Sequence, residues 1–226
     1  MTIDFRLYLI TDRKILTGSR QLSDAVEDAL KAGVRAVQLR EKDLPTRPLI
    51  DMAYRMRELT KRYDALFFIN DRTDIALSVR ADGVQLARTS IPVHAVRKIA
   101  GDKFLIGASA HSVAEAVEAE KEGADFITFG PIYHTPSKLR YGEPVGTETL
   151  RSARSKISKP IFGIGGIKTE NIADVIDSGA DGIAAISGIL GESDIGRAVG
   201  EYLKELEERR TTETRRHREG LIMKRL

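Results

Sequence analysis

Short apolar runs alternate with longer amphipathic stretches from one end of this chain to the other. Runs read as strands fall at Arg6–Ile10, Ala36–Leu39, Leu66–Ile69, Gly83–Leu86, Phe104–Ala108, Phe126–Phe129, Ile161–Gly163 and Gly182–Ile186, each followed by a helix-like segment. Eight strands alternating with helices predict a parallel sheet closed on itself, an α/β chain folded as a single (β/α)8 TIM barrel. At 226 residues the chain has the length of one such barrel. An internal echo marks the junctions from helix to strand: Ala32-Gly33-Val34-Arg35-Ala36-Val37, Ala81-Asp82-Gly83-Val84, Gly123-Ala124-Asp125-Phe126-Ile127 and Gly179-Ala180-Asp181-Gly182-Ile183. Glycine there suits a left-handed helix C-cap, so the echo is structural punctuation without chemistry. Ser112-Val113-Ala114-Glu115 has the pattern of a capping box, with Ala116, Val117 and Ala119 facing inward behind it. A further helix opens near Thr169 and runs through Ile172, Val175 and Ile176.

The candidate chemistry sits where strands end. Gly130-Pro131-Ile132-Tyr133-His134-Thr135-Pro136-Ser137-Lys138 follows the sixth strand with two hydroxyls and an ammonium, the composition of an anion-binding loop. Ile161-Phe162-Gly163-Ile164-Gly165-Gly166-Ile167 and Ala184-Ala185-Ile186-Ser187-Gly188-Ile189 are glycine-bearing loops after the last two strands, where barrel enzymes grip phosphate. Gln38-Leu39-Arg40-Glu41-Lys42 ends the second strand and Asn70-Asp71-Arg72 the third. Strand alternation lets Gln38, Arg40 and Lys42 point into the mouth together. Arg40, Lys42 and Lys138 converging with Asp71 suit a diphosphate bridged by Mg2+. Bland readings stand beside these: an Arg40–Glu41 rim ion pair, and Asn70-Asp71 as the cap of a helix starting near Thr73.

Composition adds limits. The absence of cysteine removes disulfide and thiolate chemistry, and no signal-like segment or membrane-length apolar run is present, so a cytoplasmic protein with no membrane partner is expected. The formal net charge is +3, but residues 209–226 carry seven Lys/Arg against two Asp/Glu, which leaves −2 for residues 1–208. The expected division is therefore a barrel over 1–208 and a basic C-terminal tail over 209–226. That tail has no aromatics to stack on bases, which argues against nucleic acid as a partner. Homo-oligomer formation is left open.

Five ordered motifs carry a family resemblance. Gln-Leu-Arg-Glu-Lys, Asn-Asp, Gly-x-Ser-x-His, Gly-Pro-Ile-Tyr-x-Thr-x-Ser/Thr-Lys and Gly-Ile-Gly-Gly-Ile, after strands two, three, five, six and seven, resemble the thiamine phosphate synthases from about Tyr8 to Leu203. The resemblance implies a transferase that joins hydroxymethylpyrimidine diphosphate to thiazole phosphate and releases pyrophosphate. It implies that Gln38, Arg40, Lys42, Asn70, Ser109 and Lys138 handle the pyrimidine diphosphate, with Lys138, Arg40 and Ser109 as the catalytic groups and Asp71 on Mg2+. Thr135, Ser137, Gly165, Gly166, Ile186 and Ser187 are implied for the thiazole phosphate.

The chain departs from that family after strand four, where it reads Gly83-Val84-Gln85-Leu86-Ala87-Arg88-Thr89-Ser90, with Ser90 at the place of a second metal-binding carboxylate and Arg88 as compensating charge. The Val-Gln-Leu wording is similar to the thiazole tautomerase branch, yet Pro131 stands where that branch carries its catalytic histidine. His111 reads as a group that positions substrate or loop, and His134 as inert. A tautomerase-like enzyme is the first alternative; a non-catalytic phosphate-ligand sensor with a basic interaction tail is the second.

Overall fold

The computed structural model describes residues 3–135 and 143–223, with side chains as far as Arg209. Eight parallel strands close into one barrel in sequence order: β1 Leu7–Ile10, β2 Ala36–Leu39, β3 Leu66–Asn70, β4 Gly83–Leu86, β5 Leu105–Ala110, β6 Phe126–Phe129, β7 Ile161–Ile164 and β8 Gly182–Ala185. The helices between them are α1 Leu22–Lys31, α2 Thr46–Arg62, α3 Thr73–Ser78, α4 Val93–Ala100, α5 Val113–Lys121, α6 Gly146–Arg154, α7 Ile172–Asp177, α8 Ser187–Leu190 and α9 Ile195–Met223. Every expected strand is present, β2, β4 and β6 with the expected bounds and the other five with an end shifted by one or two residues. The last helix runs unbroken through residue 208, the boundary expected between barrel and tail, and Tyr202 and Leu206 are the last buried residues among its described side chains.

Outward strand residues such as Leu9, Val37, Phe67, Ile106 and Ile127 pack under the helices in one continuous core. The inward residues form a separate cluster of Phe5, Tyr8, Phe68, Phe126 and Phe162, with ring centroids 4.8–6.2 Å apart. Three of these rings lie on a glycine of the neighbouring strand, in register: Phe68 on Gly83, Phe126 on Gly107 and Phe162 on Gly182. A Cβ on those glycines would meet the rings at 2.7, 2.4 and 2.7 Å. Large against small is what lets aromatic side chains fill the barrel, and each buried ring contributes about 2–3 kcal/mol.

The echo resolves into a repeated clamp at the N-terminal end of the barrel. Asp82 accepts from Phe67 N at 2.7 Å and pairs with Arg57 at 2.5 Å. Asp125 accepts from Ile106 N at 2.8 Å and pairs with Arg97 at 2.6 Å. Asp181 accepts from Ile161 N at 2.8 Å and pairs with Arg154 at 2.8 Å. At the fourth junction Arg35 occupies the aspartate's place and donates instead to Leu30 O and Val34 O. The left-handed cap falls on Gly33, Gly123 and Gly179 as expected, but at the β4 junction it falls on Arg80, and Gly83 is spent on the Phe68 contact.

The capping box is half as expected. Ser112 Oγ accepts from Glu115 N at 3.2 Å, while the Glu115 carboxylate reaches past the Ser112 amide to accept from His111 N at 2.7 Å. No helix of the described residues is long and apolar enough to cross a membrane.

Candidate active site

Side chains alternate along a strand, so the inward position nearest the C-terminal end of each strand faces the barrel mouth. On β2 to β6 these positions are Gln38, Asn70, Gln85, Ser109 and Thr128; on β7, just past β8 and on β1 they are Ile164, Ile186 and Ile10. The mouth is thus polar over five strands and apolar over three, above the aromatic floor. Gln38, buried, donates from Nε2 to the Tyr8 hydroxyl at 3.1 Å, which leaves its Oε1 to accept. Burial pushes the Tyr8 phenol far above its ordinary pKa and keeps it neutral. Gln85 Nε2 donates to Ser109 Oγ at 3.1 Å and to Thr128 Oγ1 at 3.0 Å. Gln85 and Thr128 were not among the residues expected in the site. Their signal was the strand parity that Gln85 shares with Asn70 and Ser109.

Asp71 follows Asn70 with φ of 59°, a left-handed conformation rare outside glycine that turns its carboxylate back over the strand ends. Oδ1 accepts from Ala87 N at 3.1 Å and from the Ser90 hydroxyl; Oδ2 accepts from Asn70 Nδ2 at 2.7 Å. Ser90, expected as a gap in the metal site, is a donor that holds Asp71 in place. The bland reading of Asn70-Asp71 fails, because α3 starts at Thr73 with no side-chain cap. Among the described residues no group of three or more His, Cys, Asp and Glu forms a metal cluster. Asp71 nevertheless has the chemistry for one magnesium of the kind held by a single carboxylate, since Oδ2 accepts one hydrogen bond and retains acceptor capacity, and phosphate oxygens and waters complete such a shell.

The β2 loop divides its charges. Glu41, buried, accepts from Thr11 Oγ1 at 2.8 Å and from Arg13 Nη1 at 2.9 Å, so the Arg40–Glu41 rim pair does not form. Thr11 Oγ1 in turn accepts from Arg40 N at 2.9 Å, which fixes the backbone under Arg40. Arg40 is half-buried and Lys42 exposed, so the three side chains Gln38, Arg40 and Lys42 are not equally placed in the mouth. Arg88 does not compensate at Asp71; it is exposed and turned to Glu115 at 3.8 Å.

The β6 and β7 loops are zipped together. Ile132 N donates to Ile164 O at 2.8 Å and Tyr133 N to Gly165 O at 3.0 Å. Gly165 and Gly166 have φ of 95° and 65°, and a Cβ on Gly165 would lie 2.5 Å from Pro131 Cβ. His111 Nδ1 bonds Gly130 O, so this ring braces the start of the β6 loop. His134 is exposed and faces Glu143 at 3.5 Å. Thr135 is half-buried beyond it; Ser137 and Lys138 lie outside the described residues. Ser187 opens α8 above β8, and Gly188 makes room for Tyr202, whose hydroxyl donates to Ile167 O at 2.9 Å.

A closed (β/α)8 barrel with a two-faced mouth and loops of hydroxyls and glycines on the same rim defines a barrel enzyme. Residues 7–189 match the family described as thiamine monophosphate synthase. A Geobacter sulfurreducens relative is 51% identical over 192 residues, covering 85% of this chain and 90% of that one. The thiamine-phosphate synthase of Clostridium novyi is 46% identical over 195 residues, 86% of this chain and 95% of that one. A solved structure, the thiamine phosphate pyrophosphorylase of Pyrococcus furiosus, superposes with a TM-score of 0.81 at 40% identity, covering 90% and 96% of the two chains. The chain belongs to the thiamine monophosphate synthase family.

Proposed function

We propose that this barrel is a thiamine-phosphate synthase, a transferase that joins hydroxymethylpyrimidine diphosphate to thiazole phosphate and releases pyrophosphate. The observation that carries the reading is the extent of the relation: 46% identity to a Clostridium novyi protein of that name across nearly the whole of both chains. Pro131 after the β6 glycine supports the synthase over a tautomerase, because it offers no group to move a proton.

The chemistry asks for cleavage of a carbon–oxygen bond whose electron pair leaves with pyrophosphate, then capture of the pyrimidine-stabilised cation by the thiazole nitrogen. The polar arc binds and orients the pyrimidine: Gln38 Oε1 accepts and Ser109 and Asn70 face the same space, while the isoleucine arc excludes water. Arg40, Lys42 and Lys138 neutralise the diphosphate, a contribution that grows as charge develops on the leaving group. Thr135, Ser137, Gly165, Gly166, Ile186 and Ser187 take the thiazole phosphate on the loops after β6, β7 and β8, the first two of which are joined by backbone hydrogen bonds. Asp71, held by Ser90, Ala87 N and Asn70, is the residue that would hold Mg2+. When bound, magnesium supplies positive charge to the departing diphosphate.

The test is to incubate the protein with both precursors and magnesium and to follow thiamine phosphate and pyrophosphate together. Formation of both supports the proposal. Isomerisation of thiazole phosphate without the pyrimidine, or ligand binding with no turnover, rejects it in favour of a tautomerase or a sensor.

A further inference from the structure

We propose that Gln85 is a positioning residue that, through Thr128, fixes the Ser109 hydroxyl as a hydrogen-bond donor to the ligand in the barrel mouth. Three contacts form a closed triangle: Gln85 Nε2 to Ser109 Oγ at 3.1 Å, Gln85 Nε2 to Thr128 Oγ1 at 3.0 Å, and Thr128 Oγ1 to Ser109 Oγ at 3.2 Å. Each contact needs one hydrogen. With the amide NH2 facing the hydroxyls, its two hydrogens and the Thr128 proton supply three. With the amide reversed, the carbonyl brings none, the two hydroxyls bring two, and one contact is left as lone pair against lone pair.

The same count leaves one hydroxyl hydrogen over, and burial decides where it lies: with Thr128 donating, Ser109 Oγ accepts from both Gln85 and Thr128 and its own hydrogen is the one left over. Thr128 is 4% exposed and would bury an unused hydrogen; Ser109, half-buried, has the mouth in front of it. The triangle therefore turns a group able to donate or accept into one that only donates, matched to a phosphate oxygen or a ring nitrogen.

This arrangement has a cost that the fold itself does not explain. Gln85 is 2% exposed, and its Oε1 has no hydrogen-bond partner among the described residues. That oxygen sits against Gly107, where a Cβ would come within 2.3 Å of it. An apolar side chain would fill the same place without an orphaned acceptor. The amide is kept for what its nitrogen does to Ser109.

The inference deepens the proposed synthase reading and rests on it only for the identity of the ligand. Neutron diffraction from crystals grown in D2O reads the relay directly, without any substrate. A Ser109 deuteron directed into the mouth, with Gln85 Nε2 toward both hydroxyls, supports it. A Ser109 deuteron on Thr128 or on a reversed Gln85 carbonyl overturns it. In kinetics, Gln85→Glu and the near-isosteric Gln85→Met each raise KM for the pyrimidine diphosphate about tenfold or more, the worth of one hydrogen bond to a charged group. Ser109→Ala added to either variant then costs nothing further, because Gln85 acts through Ser109. Losses that multiply independently, or a folded Gln85→Met enzyme with unchanged KM, overturn the relay. A wild-type protein without synthase turnover would reject the functional reading and leave the deuterium map to decide the relay.

Discussion

Replacing Ser90 with aspartate converts a donor to Asp71 into a second carboxylate and sets two predictions against each other, one for the metal-free protein and one for the loaded protein. Ser90 Oγ is in hydrogen-bond contact with Asp71 Oδ1, so a carboxylate at 90 falls about 4 Å from the Asp71 charge. At an effective dielectric near 20 that repulsion is about 4 kcal/mol, and the lost hydrogen bond adds about 2 kcal/mol. Both residues are half-exposed, and salt screens part of this, so a net destabilisation of about 4 kcal/mol is expected. For a chain of this size calorimetry in EDTA should show Tm lowered by roughly 10 °C, with millimolar magnesium restoring most of it. Ser90→Ala, which loses the bond to Asp71 and the one Ser90 Oγ accepts from Ala87 N at 2.8 Å but adds no charge, should fall by about half as much and gain no magnesium response. Equal Tm for Ser90→Asp and wild type in EDTA would refute the geometry, and a deficit that magnesium leaves untouched would refute Asp71 as a cation site.

Lys138→Ala should lower turnover about a hundredfold at unchanged Tm, the usual worth of one donor to developing charge, measured as pyrophosphate release. Gly165→Ala combines a left-handed φ with a Cβ 2.5 Å from Pro131, so it should destabilise by roughly 2 kcal/mol and raise KM for thiazole phosphate more than for the pyrimidine. Removing residues 209–226 takes away, among the described residues, the surface ion pair Arg209–Asp177 at 3.0 Å, and should leave turnover within about twofold and Tm within a few degrees; loss of activity with an intact melting transition would show that the segment acts at the mouth.

The barrel was legible because its signals are local. Eight apolar runs and glycine-marked junctions each report on a few adjacent residues, and closure follows from their number. The rim charges were less legible, since pairing depends on a neighbouring loop: nothing near Glu41 announces that Arg13 and Thr11, on the β1 loop, will claim it and leave Arg40 unpaired with it. Ser90 read as a deficit because a motif compares residue types, whereas the fold supplies distances, and those make the hydroxyl a partner of Asp71. Gln85 stands in a stretch that departs from the family pattern, and only the registers of β4 with β5 and of β5 with β6 set it beside Ser109 and Thr128.

The Arg–Asp clamps define what the chain is made of. Each runs from one helix, across the strand that follows, to the start of the strand after that, so the repeating module is a pair of strand–helix units and not a single one. Three modules carry the clamp, and the junction at Arg35 does not. A circular permutant opened between Gly33 and Val34 would keep every clamp inside continuous sequence, whereas one opened between α2 and β3 would divide Arg57 from Asp82 and leave a charge at the foot of the barrel to find its partner across a chain break. The molecule has a seam, and the place of the missing aspartate marks it.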